Sequence, residues 1–175
     1  MLAKWEYKMI NELNIIIERS LKEFITYVRD QSWFGRENEA VSLYAFGFLQ
    51  RECSTTGPLI DPTQIGIEVG AARTPKGPNS RVRKDLVIWP RPGMNCWYPT
   101  SDISNNPIAI LEWKVCRPKT STLKGKKHDI EWLKAHTSTH KECVGYSVEL
   151  NLVMQPPLLN VSRFYQSQEV AVVIN

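Results

Sequence analysis

The chain has 175 residues, 42% hydrophobic and 23% charged, enough to bury one core and too few for two ordinary domains. Its four cysteines, Cys53, Cys96, Cys116 and Cys143, form no C-x-x-C pair, and its glycines and prolines follow no period, which argues against a zinc ribbon, a redox dithiol or a low-complexity chain. Net charge is only +4, yet residues 71–127 hold 12 basic and 3 acidic side chains, a local field of +9 that attracts polyanions.

No apolar run is long enough to span a membrane, and the opening Met1-Leu2-Ala3-Lys4-Trp5-Glu6 is charged at once. Neither a membrane protein nor a signal peptide is therefore expected, and the expected location is cytoplasmic with reduced thiols.

Residues 3–30 read as an amphipathic helix, because Ile10, Leu13, Ile17, Leu21, Phe24 and Val28 recur every three or four positions. A second helix is predicted over about 34–52, on the stripe Val41, Tyr44 and Phe48. The pattern then turns to strands. Residues 64–69 alternate, residues 70–80 carry Gly, Pro and Asn and read as a loop, and residues 82–89 form a second strand closed by Pro90 and Pro92. A long connection over about 90–107 leads to the clearest strand, Ile108-Ala109-Ile110-Leu111-Glu112-Trp113-Lys114-Val115. Residues 117–127 read as a basic loop, His128 to His136 as a short helix, Tyr146 to Met154 as a fourth strand, and Val170 to Ile174 as a fifth. Helices followed by strands and an interposed helix imply an α/β domain with a mixed sheet.

Parity singles out the third strand. Ala109, Leu111, Trp113 and Val115 make one apolar face, while the other begins with Ile108 and Ile110 and ends in Glu112 and Lys114. Charges at the end of such a strand are costly unless compensated or facing a cleft. Asp85 stands near the entrance of the second strand. Antiparallel pairing of the two strands would bring it towards Glu112 and Lys114. Two converging carboxylates repel unless a proton or cation joins them. Oxygen ligands favour Mg²⁺ or Mn²⁺, with the Trp113 carbonyl as a further donor. A lysine beside them can orient a water or stabilise phosphate charge.

Asp85 followed after a gap by Glu112-Trp113-Lys114 resembles the PD-(D/E)XK nucleases, over roughly residues 34–154. The resemblance implies a restriction-endonuclease-like mixed central sheet of four to five strands flanked by helices. This would be one domain over 1–175, with a helical segment at about 3–52 and the sheet core at about 64–175. It also implies that Asp85 and Glu112 bind the metal, that Lys114 assists attack by water, and that a Glu of the preceding helix, Glu37 or Glu39, supports them. Two departures stand out. Lys84 precedes Asp85 where the family loosely keeps a proline, and residues 90–107 lengthen the gap.

The expected activity is metal-dependent hydrolysis of phosphodiester bonds in DNA, without a covalent intermediate. Arg81, Arg83, Lys119, Lys124, Lys126, Lys127 and His128 would guide the strand by its phosphates. A homodimer is a candidate arrangement, with the helix of residues 3–30 as its interface.

Blander roles exist for each residue. Glu112 and Lys114 would also suit an exposed ion pair, Asp85 a strand-opening turn and Glu68 an outward-facing position; Asp129, Glu131 and Trp132 would line the cleft, or, more simply, Asp129 would stabilise the helix start and Trp132 pack on the sheet. The three histidines His128, His136 and His140 lack the H-E-x-x-H pattern and read as exposed polar residues. Two rival functions use the same surface: a non-catalytic nucleic-acid-binding module, and a protein-interaction domain such as an immunity or inhibitor protein.

Overall fold

The apolar stripe of the first helix decides which side of the sheet is covered first. The computed structural model describes residues 2–71, 82–95, 105–118 and 123–174. Helix α1 (Leu2–Asp30) buries Ile10, Leu13, Ile17, Leu21, Phe24 and Val28 against the sheet and against α2 (Glu37–Gly47). The stripe is consumed inside this chain's own core rather than left open for a partner. The helix expected over 34–52 is divided: α2 ends at Gly47, and a 3-10 turn, Leu49–Glu52, follows it.

Among the described residues the sheet has six strands, β1 (Ile65–Ala71), β2 (Val82–Ile88), β3 (Ala109–Cys116), β4 (Val144–Asn151), β5 (Leu158–Tyr165) and β6 (Gln168–Val172), in that spatial order. All neighbours are antiparallel except β3 and β4. A parallel pair needs a crossover, and α3 (Leu123–Thr139) provides it on the face opposite α1 and α2. The result is a mixed α/β sheet with helices on both faces.

Three expectations are corrected. The sheet has six strands rather than four or five, because β5 was not anticipated. The strand expected at 170–174 is β6, at Gln168–Val172. The short helix of residues 128–136 is longer at both ends and takes in residues 123–127, part of the expected basic loop.

The odd face of β3 enters the core beside α1, as its parity predicts. Trp113 is fully buried, with its ring 5.4 Å from Phe24 and 5.1 Å from Tyr44. Trp132 and Leu133 of α3 pack on the other face with Val87, Ile110, Cys143 and Phe164. Gly145 lets α3 seat on β4, because a Cβ there would lie 2.9 Å from Leu133 Cδ2. No described helix is long and apolar enough to cross a membrane.

One polar contact inside the α1–α2 core is measurable. The Tyr44 hydroxyl and Ser20 Oγ share a hydrogen bond at 2.8 Å, and Ser20 Oγ also donates to the Ile17 carbonyl at 2.9 Å. Because Ser20 keeps that second partner, Tyr44→Phe is expected to lower the unfolding free energy by only about 1 kcal/mol. A denaturant midpoint shift well above that would mean Ser20 depends on Tyr44 more than this geometry implies.

A local inversion in the first two strands prepares the site. Glu68 adopts a left-handed backbone (φ 53°), uncommon for a residue with a side chain. On either side of the Glu68–Asp85 position, β1 and β2 keep one register. Yet the faces exchange across it. Ile67 packs against the α1–α2 core and Val69 against the opposite cluster. Likewise Leu86 faces α1 and α2, whereas Lys84 reaches Trp132 of α3. Simple alternation would have placed Lys84 on the same side as Leu86.

Candidate active site

Strands β2 and β3 pair only at Leu86↔Leu111, Val87↔Ile110 and Ile88↔Ala109. The antiparallel arrangement matches the sequence reading. Beyond Leu111, β3 continues to Cys116 beside β4, without ladder pairs to β2. Its backbone groups on that side need other partners. Side chains supply them. Trp113 N donates to Asp85 Oδ2 at 2.7 Å, and Lys114 Nζ donates to the Trp113 carbonyl at 2.7 Å. The Val115 backbone also favours the charged form of Glu37. Asp85, Lys114 and Glu37 thus meet where the β2–β3 ladder ends.

Lys114 is the hub. Its Nζ lies 3.4 Å from Glu37 and 3.2 Å from Asp129, with the side chain four-fifths buried. Burial alone would push its pKa down, but the carboxylates of Glu37, Asp129 and Asp85 outweigh it and raise it above the ordinary 10.5. Lys114 is therefore an ammonium throughout the physiological range. Asp129, for which the sequence offers a place lining the cleft or at the helix start, sits in the second turn of α3 and faces Lys114. Gly125, one turn earlier, gives the lysine room: a Cβ there would come within 3.2 Å of Lys114 Cε.

Of the two helix acids, Glu37 faces the cleft. Burial raises its carboxyl, Lys114 opposes that rise, and Asp85 adds to it. Glu39 Oε2 instead accepts from Arg36 N at 2.5 Å and closes the first turn of α2. Asp85 and Glu37 influence each other, and Asp85 also acts on Glu112.

Glu112 has a partner that the sequence reading did not assign. Its carboxylate forms an ion pair with the Lys84 ammonium, and the two side chains are 5% and 1% exposed. The Lys84 Nζ also lies 3.4 Å from the centre of the Trp132 ring, a cation–π contact. Burial raises the Glu112 carboxyl, and Lys84 pulls it back.

Trp132 in turn stacks on His136 (4.6 Å between ring centres), and His136 lies against His140 (4.4 Å). His136 is thus buried, not exposed as its polarity suggests. Burial first, then His140 and Lys84, hold its pKa down at about 3.

The basic residues are dispersed. Arg83 is 3.4 Å from Glu68, Lys126 pairs with Glu149, and Lys127 stands 4.0 Å from Glu131. His128 is exposed on α3. Arg81 and Lys119 lie outside the described residues, as does the side chain of Lys124. Trp89, next to the basic middle of the chain, is buried in the core.

Glu37, Asp85 and Glu112 offer carboxylate oxygens, the donor type that a hard divalent cation takes. Among the described residues, however, no group of three or more His, Cys, Asp or Glu is placed to hold a metal ion. Each acid is engaged: Asp85 with Trp113 N, Glu37 with Lys114 and the Val115 backbone, and Glu112 with Lys84. No family model, curated protein or solved structure matches the chain.

Proposed function

We propose that the chain is a nuclease of the PD-(D/E)XK type that hydrolyses phosphodiester bonds in DNA with the help of Mg²⁺ or Mn²⁺. The observation that supports this best is the gathering of Asp85, Lys114 and Glu37, from three different elements, where β2 leaves β3. Glu112 adjoins them on the same strand. In this reading Asp85 and Glu112, with Glu37 beside them, hold the cation. The bound ion supplies Lewis acidity and lowers the pKa of its water.

The chain's own contribution is electrostatic. Lys114 stays protonated, so it stabilises negative charge on the phosphate and orients the attacking water rather than removing its proton. Asp129 and Glu37 fix the direction of that ammonium. Arg83, Lys126, Lys127 and His128, with Arg81, Lys119 and Lys124, are the residues proposed to contact the phosphate backbone.

The test is Mg²⁺-dependent cleavage of a labelled DNA, compared between the wild type and Asp85→Asn. The asparagine keeps an oxygen to accept from Trp113 N, so the fold is expected to survive while the charge on the cation side is lost. Cleavage is expected to fall at least about 100-fold with little change in melting temperature. Equal cleavage by the two proteins would remove the mechanism. No cleavage by the wild type with either cation would remove the activity.

A second reading is favoured by one specific observation, the buried Lys84–Glu112 pair. If that pair is permanent, the same fold would serve a non-catalytic nucleic-acid-binding module. Salt-sensitive DNA binding that is indifferent to chelator, without cleavage, would select this reading.

A further inference from the structure

We propose that Lys84 is a built-in competitor for the cation: its ammonium occupies the Glu112 carboxylate, and a divalent ion binds that carboxylate only as Lys84 leaves it. This inference rests on the nuclease reading above and adds to it a device that controls loading of the site.

Three observations carry it. The first is burial. Lys84 is 1% exposed and Glu112 5% exposed, and they are in direct contact. A buried carboxylate already paired with one cation has no solvent-facing side on which to take a second. Like charges so close also repel.

The second is aim. The exchange of faces across Glu68 and Asp85 turns Lys84 from the side of Leu86 to the side of Glu112 and α3. An undistorted β2 would point it into the apolar α1–α2 core. The strand irregularity therefore delivers this ammonium to this carboxylate.

The third is the bed on which it lies. The Trp132 ring sits 3.4 Å from Lys84 Nζ and is itself backed by His136. An aromatic face stabilises the ammonium without neutralising Glu112. Lys84 is thus held by two contacts, of which a divalent ion contests only one.

The experiment is calorimetric titration of the full chain with Mn²⁺, on wild type, Lys84→Gln, Lys84→Gln/Glu112→Gln and Asp85→Asn. Thermal melts with and without Mn²⁺ accompany it. Glutamine can still donate a hydrogen bond to Glu112 but carries no charge. Lys84→Gln is expected to bind Mn²⁺ about tenfold more tightly than the wild type or better. Its melting temperature should also rise more on adding the ion. Both gains should vanish in the double variant.

Equal affinity of wild type and Lys84→Gln overturns the competition. If both bind and Asp85→Asn does not, the nuclease reading still stands. A gain that persists without Glu112 overturns it too, since the contested ligand would then lie elsewhere. Absence of binding in every protein overturns both readings.

If Lys84→Gln lacks a cooperative melt, amine acetylation of the wild type, mapped by mass spectrometry, decides instead. Lys84 is expected to be protected without the ion and modified several-fold faster in saturating Mg²⁺. An unchanged rate overturns the proposal.

Discussion

Lys84→Met is expected to remove about 3–5 kcal/mol of folding free energy, the usual consequence of leaving one member of a buried ion pair alone. Glu112 would then have to ionise without a partner in a site only 5% exposed, or hold its proton. The double variant Lys84→Met/Glu112→Leu is expected to recover most of the loss, because two apolar side chains of similar volume carry no desolvation penalty.

The pH dependence has a definite sign. Burial pushes the Glu112 carboxyl from the ordinary 4.5 up to about 7, with Lys84 opposing and Asp85 and Asp129 adding to the rise. A carboxyl raised in the folded state contributes stability that is fully present below 4.5 and is lost as pH climbs through 7. Removing Lys84 removes the opposing pull. The deficit of Lys84→Met should therefore be larger at pH 8 than at pH 5, where the unpaired carboxyl can keep its proton. Urea titrations at the two pH values check this. A deficit that is the same at both, or that the double variant fails to relieve, would count against a charged pair as the origin of the effect.

The largest expected effect on activity comes from Lys114→Met. Methionine preserves much of the aliphatic stem beside Gly125 and deletes the ammonium that lies 3.4 Å from Glu37 and 3.2 Å from Asp129. Loss of one preorganised positive group at a developing phosphate charge lowers turnover by about 10²–10³-fold. Affinity for Mn²⁺ should be kept or improved, since a competing positive charge has been taken away. Single-turnover cleavage and calorimetry separate the two effects. Wild-type turnover in Lys114→Met would show that this lysine only ties down the acids and the Trp113 carbonyl.

Much of this arrangement was legible in the sequence where a single period governs. The stripe of α1 and the odd face of β3 obey one repeat and face one core. Antiparallel pairing of β2 with β3 was a supposition at the level of sequence, and the ladder at residues 86–88 shows it. Strand β5 was hidden because its buried residues belong to both faces: Leu159 and Val161 join the α1–α2 core, and Phe164 joins the α3 side. Its turn into β6 carries Gln166 and Ser167 with φ of 49° and 67°, without the Asn-Gly or Asp-Gly that usually announces such a turn.

At the site, the pattern could not separate Glu37 from Glu39. That difference depends on which acid the first turn of α2 uses for its own backbone. Capping chemistry offers a signal in retrospect: Arg36 with Glu39 at the third position has the spacing of a reciprocal cap. Lys84 was missed because strict alternation assigns it to the wrong face, and nothing in the sequence marks the inversion at Glu68. A helix start was offered for position 129 because the helix itself was begun too late.

The seam between β2 and β3 closes only at residues 86–88, whereas β3 and β4 remain joined along their full length. The first hairpin is therefore fastened to the rest of the sheet near one end, like a partly undone zip with its open mouth at the cleft. Asp85 rides on the loose side of that mouth, and Glu112 and Lys114 on the fixed side. Both sides are nonetheless bridged: Asp85 accepts from Trp113 N at 2.7 Å, and Lys84 pairs with Glu112. Where the backbone ladder stops, side chains therefore carry the join between the two strands.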